Sequence, residues 1–119
     1  MLERKEAENN VYEISRTFAI RIVNLYKYLK EERSEFIMSK QLFRSGTSIG
    51  ANVFEGKNTQ SRADFTNKMN VALKEATESA YWIDLLHETH FLNDEFDSIY
   101  DECSKIIGVL TKIVKATKQ

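Results

Sequence analysis

The sequence contains no proline and only four glycines in 119 residues. Average usage of about 5% would place roughly six prolines in a chain of this length. A β-sandwich or barrel draws on both residue types at its many corners. Their scarcity argues against such folds and for long helices with few connections. A single cysteine, Cys103, cannot close an intrachain disulfide, which removes the disulfide-built secreted folds. No apolar run approaches the ~20 residues of a membrane span. Behind Met1-Leu2-Glu3-Arg4-Lys5-Glu6 there is no apolar stretch to serve as a signal sequence. The expectation is a soluble, cytoplasmic protein with no membrane partner.

A dominant charge is also missing. There are 17 Lys or Arg against 18 Asp or Glu, net −1, and the sequence pI is about 6.1. A uniformly basic nucleic-acid protein would look different. The charge is uneven, however. Residues 1–62 carry eleven basic and eight acidic side chains, or +3; residues 63–119 carry six and ten, or −4.

What is present is helical periodicity, with 42% hydrophobic residues to build a core. A first helix is expected from about residue 8 to 32, with Val11, Ile14, Phe18, Ile22, Leu25 and Leu29 three or four apart. A second spans about 34–58, with Ser34 and Glu35 at its N-terminus and Met38, Leu42, Ile49 and Val53 as its stripe. A third runs from about 62 to 90 through Phe65, Met69, Ala72, Ala76, Ser79, Ile83, Leu86 and His90, capped by Ser61 or Thr59. A fourth covers about 94–117 through Phe96, Ile99, Cys103, Ile106, Leu110 and Ile113. Nearly equal helices joined by short links must run antiparallel. The fold class is therefore all-α, an up-down-up-down four-helix bundle in one domain spanning 1–119.

Two features exceed a generic bundle. Tyr12, Tyr26, Phe43, Phe54, Tyr81 and Trp82 fall off the core stripes. They fit a wide core or a subunit interface, and the interface is preferred because several lie on the second and third helices together. The second helix also contains Gln41-Leu42-Phe43-Arg44-Ser45-Gly46-Thr47-Ser48-Ile49-Gly50-Ala51-Asn52-Val53-Phe54-Glu55-Gly56. Each interior glycine costs a helix about 1 kcal/mol against alanine. The small residues suit close helix packing. Alternatively, Ser45, Ser48, Asn52 and Glu55 form a polar stripe facing a ligand or pore.

This segment resembles the bacterial four helix bundle protein family, also known as the 23S rRNA intervening-sequence protein family. The shared pattern is Gln41, Arg44, Ser45, Ser48, Ile49, Asn52, Glu55 and Gly56, and it continues through Phe65, Ala72, Glu75, Glu78, Tyr81, Trp82, Leu85 and Leu86. The resemblance implies an up-down bundle assembled as a ring-like homopentamer. A related branch is the accessory protein of diversity-generating retroelements, where a basic pentamer binds nucleic acid and a reverse transcriptase. Possible partners are therefore RNA, DNA or such a protein. The pI of this chain departs from that basic branch.

Sites for chemistry are few. Asp84, His87 and His90 are three apart and could offer a metal two imidazoles and a carboxylate, but a solvated or capping histidine is the better reading. Glu75 and Glu78 resemble a carboxylate pair; without any Glu-x-x-His motif for a di-metal site, they fit an ion pair with Arg44 that fixes helix register. Cys103 sits on an apolar stripe as a structural thiol. No phosphate loop, catalytic triad or Cys-x-x-Cys occurs, so no enzyme, cofactor or metal is expected. For nucleic acid, Arg16, Arg21, Lys27, Lys30, Arg33, Lys40, Lys57 and Arg62 form either a solvated face or a contact surface that assembly would make multivalent. The expected function is a non-enzymatic oligomeric bundle, either a nucleic-acid-binding or accessory scaffold, or a protein–protein scaffold with no nucleic acid.

Overall fold

In the computed structural model, residues 2–118 are described, with side chains from residue 8 onward except residue 9. Four helices make up the chain: α1 (Leu2–Arg33), α2 (Met38–Gly56), α3 (Arg62–Glu88) and α4 (Ile99–Thr117), with a 3-10 turn at Asp94–Phe96 before α4. α1 begins six residues before the expected Glu8, because nothing in the polar segment ahead of it breaks a helix. α2 begins later than expected. Ser34 adopts a left-handed backbone, φ 52°, which ends α1 instead of starting α2. Glu35 takes over as the cap. Its buried carboxylate accepts from the backbone N–H groups of Ile37, Met38 and Ser39 at 3.3, 3.1 and 2.7 Å. It thereby satisfies three donors that the first turn leaves unpaired.

α3 is capped by Ser61, whose hydroxyl accepts from Asp64 N–H at 3.1 Å. It ends before His90, whose φ of 65° forms a left-handed C-terminal turn closed by bonds from His90 N–H to the His87 carbonyl and from Phe91 N–H to the Leu86 carbonyl. Asn93 caps the short 3-10 turn through Glu95 N–H.

The helices run antiparallel around a closed square. Rising numbers on one helix meet falling numbers on the next: Tyr12 stacks on Phe54 and Tyr26 on Phe43, while Lys68 pairs with Glu55 and Glu75 with Arg44. On the α3–α4 side, Cys103 Sγ donates to the Ala76 carbonyl at 3.2 Å and Arg62 reaches the Thr117 carbonyl. The bundle measures 45 × 21 × 18 Å. One continuous core runs along it, from Val11, Phe18, Ile22, Leu25 and Leu29 of α1 to Ile99, Ile106, Leu110 and Ile113 of α4. Ser15, not the expected Ile14, occupies the buried position of α1. Its hydroxyl donates to the Tyr12 carbonyl and so is satisfied without leaving the core. No helix among the described residues is long and apolar enough to cross a membrane.

Candidate functional site

The unusual composition of α2 serves its two neighbours. Toward α3, Arg44 donates to Glu75 at 3.0 Å and also pairs with Glu78. Trp82 Nε1 donates to the same Glu78 carboxylate at 3.0 Å. The Trp82 hydrogen bond, followed by that of Arg44, holds the Glu78 carboxyl below the usual carboxylate range. The pairing of Arg44 with Glu75 and Glu78 is the one expected from the sequence, and the Arg44 side chain is 49% exposed in the isolated chain. Beneath it the Ser45 and Ser79 hydroxyls meet at 2.8 Å in full burial. Ser48 donates to the Arg44 carbonyl, Asn52 to the Ser48 carbonyl, and Glu55 accepts from Lys68 at 2.8 Å. That stripe is thus largely engaged within α2 and with α3. Ile49 is core, and Gln41 is exposed.

The glycines are not equivalent. A Cβ on Gly46 would lie 2.8 Å from Ile22 Cγ1, whereas one on Gly50 would lie 3.5 Å from the Ser15 carbonyl oxygen, an ordinary contact. Gly56 faces Met69 Cε at 2.6 Å by the same measure. Gly46 is the position where α1 and α2 require a missing side chain.

The eight expected nucleic-acid contacts divide in two. Arg21 pairs with Glu102 and donates to the Glu95 carbonyl. Arg33 donates to the His90 and Phe91 carbonyls, and Arg62 to those of Ala116 and Thr117. These three guanidiniums are engaged within the fold, those of Arg33 and Arg62 at helix C-terminal ends. Arg16, Lys27, Lys30, Lys40 and Lys57 are exposed on α1 and α2 with no carboxylate partner among the described residues.

These cations flank a second stripe beside the core stripe. On α1 it reads Tyr12, Arg16, Ala19, Val23, Tyr26 and Lys30; on α2 it reads Lys40, Phe43, Thr47, Gly50, Phe54 and Lys57. Both keep the spacing of three and four that seats a further helix. Lys57 Nζ lies 3.6 Å from the Tyr12 ring centroid and Lys30 Nζ 5.3 Å from that of Tyr26. Between the aromatic pairs, Tyr12, Arg16, Ala19, Thr47, Gly50 and Phe54 line a groove of about 190 Å3. Phe54 is 54% exposed and Phe43 36%. The signal for this seam was available as a heptad pattern displaced by one residue from the core pattern.

Tyr81 is 57% exposed. Trp82, expected with it at an interface, is half-buried against the core and committed to Glu78. Between α3 and α4, beside Tyr100, a cavity of about 300 Å3 has Ile83, Leu92, Phe96 and Ile99 as its floor and Asp84, Glu88 and Asp97 at its rim. His90, turned off α3 by its positive φ, does not share a helix face with Asp84 and His87. Burial pushes the Cys103 thiol up to about 12.

Comparison with known proteins follows the same helices. A family model described as 23S rRNA-intervening sequence protein matches residues 7–112. A crystal structure of a protein of unknown function from the S23 ribosomal protein family of Bacteroides thetaiotaomicron is 52% identical, with 92% of this chain and 98% of that chain covered and a TM-score of 0.87. A search of curated proteins returns no match.

Proposed function

The chain belongs to the 23S rRNA-intervening sequence protein family, and from that premise we propose that it is a non-enzymatic cytoplasmic scaffold that works as a homo-oligomer, with five copies the favoured number. One observation carries this reading. The α1–α2 seam presents two parallel stripes of helix-packing spacing, with Phe54 and Phe43 exposed in the isolated chain and paired with half-buried Tyr12 and Tyr26. Exposed aromatics in such an order are a surface prepared for another protein. The non-enzymatic part is supported by the commitments of the reactive side chains. Cys103 is a buried thiol held protonated, and Glu75 and Glu78 are both engaged by Arg44. Sedimentation equilibrium from low to high micromolar concentration tests the reading: a multimer supports it, and a monomer throughout overturns it.

A second reading, binding of RNA or DNA, draws on one specific observation. Arg16, Lys27, Lys30, Lys40 and Lys57 have no carboxylate partner among the described residues and interleave with aromatic rings. Stacking platforms beside cations suit single strands. Fluorescence anisotropy with single-stranded and duplex RNA and DNA at 50 and 150 mM salt decides it, since phosphate-driven binding falls steeply over that range. The two readings use the same seam, so strand binding and assembly would compete.

A further inference from the structure

Residues 75–104 contain nine Asp or Glu and no Lys or Arg. Arg44 engages Glu75 and Glu78, and Arg21 engages Glu102. The other six carboxylates have no Lys or Arg partner among the described residues. They gather at one end of the bundle, on the α3–α4 side, beside exposed Tyr81 and Tyr100. Lys27, Lys30 and Lys40 of the α1–α2 seam lie on the opposite side of that same end, whereas Lys57 beside Tyr12 lies at the other end.

The heights match. Arg33 at the close of α1 donates to the His90 and Phe91 carbonyls just past the close of α3, so these two helix ends are level. Lys30 therefore lies near the level of Glu88. Arg44 spans Glu75 and Glu78, which sets Phe43 level with Glu78 and Lys40 near Tyr81. Copies related by rotation about an axis along the bundle meet side to side at equal heights. At that height, one side offers rings with ammonium groups and the other offers rings with carboxylates.

We infer that a second copy of this chain docks head to tail, its acidic α3–α4 face around Tyr81, Asp84 and Glu88 seated on the Tyr26–Phe43 end of the α1–α2 seam, flanked by Lys30 and Lys40. This rests on the oligomer proposed above and names the surfaces that build it. The cavity lined by Asp84, Glu88 and Tyr100 suits the contact: an apolar floor with carboxylates at its rim takes the methylene stem and ammonium of a neighbouring lysine. Such a contact is heterologous, so each copy uses both faces and copies add in a series that forms a ring where the rotation closes. The charge pattern also selects against two seams meeting each other, since that would oppose lysine to lysine.

The experiment uses the full chain and light scattering at micromolar concentration. The Lys30→Glu/Lys40→Glu variant and the Asp84→Lys/Glu88→Lys variant each carry one sign on both faces. Each is expected to fall to a 13.9 kDa monomer, with helicity by circular dichroism unchanged because all four residues are exposed. Combining all four changes in one chain is expected to restore the multimer. A wild-type multimer whose mass survives both double variants overturns this pairing while leaving the oligomer intact. A monomeric wild type overturns the oligomer itself. Loss of RNA binding in the lysine variant with mass unchanged assigns those lysines to nucleic acid and also overturns the pairing.

Discussion

Trp82 Nε1 donates to the carboxylate of Glu78 one turn before it on α3, and Arg44 reaches the same carboxylate from α2. The indole fixes the acid and the acid fixes the arginine. Both hydrogen bonds favour the ionised carboxylate, so Glu78 titrates below the usual carboxylate range. A carboxyl depressed by folding stabilises the native state above its unfolded pKa, and that contribution is lost as pH falls through the native value. Trp82→Phe keeps the ring and deletes the donor. The Glu78 titration, followed by carboxyl NMR, should move upward, and the loss of stability in acid should begin at a higher pH. An unmoved titration would mean that the indole does not hold the acid.

Arg44 is about half exposed, so its two ion pairs act in high dielectric. Arg44→Ala should cost about 0.5–1 kcal/mol by urea denaturation, the range of a surface network. A loss near 3–5 kcal/mol would indicate a desolvated pair and would place Arg44 inside a subunit contact.

The two interior glycines should respond in opposite directions to one methyl group. Gly50→Ala meets only an ordinary contact and gains helix propensity, so stability should rise by up to about 1 kcal/mol. Gly46→Ala drives its methyl into the branched carbons of buried Ile22, and overpacking of about 1–3 kcal/mol should outweigh that gain. Equal shifts in thermal melts of the two variants would contradict the α1–α2 approach described above.

His90 adopts a left-handed backbone that costs a residue with a Cβ about 1–2 kcal/mol. His90→Gly relieves that cost but loosens the unfolded chain, so a net gain of about 0.5–1 kcal/mol is expected in the melt. A loss of stability would show that the imidazole itself makes a contact worth keeping.

Cys103 is fully buried, and its thiol is pushed up to about 12. At pH 8 it should resist a disulfide reagent in the native state and react at once in denaturant. Rapid native labelling would mean that the α3–α4 seam opens locally.

The core was legible in the sequence because helix periodicity is a direct record of burial. Leu25, Ile49, Ala76 and Leu110 all stand where three-and-four spacing puts them. Caps were less legible. Ser34 has the chemistry of an N-cap, yet the left-handed turn that ends α1 uses it, and the longer Glu35 side chain reaches three N–H groups instead. The fates of the basic residues could not be read at all. Arg21, Arg33 and Arg62 resemble Lys27 and Lys40 in sequence, and only tertiary contacts across 50 or more residues bring carbonyls to the first three. The family pattern on α2 was legible as a packing surface with an Arg44 ion pair, but the Ser45–Ser79 hydroxyl contact and the Trp82 bond to Glu78 needed the fold.

The central claim is that the α1–α2 seam is a protein contact, and the solution mass of a seam variant tests it most directly. Light scattering of the wild type should give a multiple of 13.9 kDa, and Phe43→Asp, with its helicity intact, should give 13.9 kDa itself. Phe43 is exposed in the isolated chain, so its replacement has little core to disturb. An unchanged multimer in the variant, or a monomeric wild type, would contradict the account.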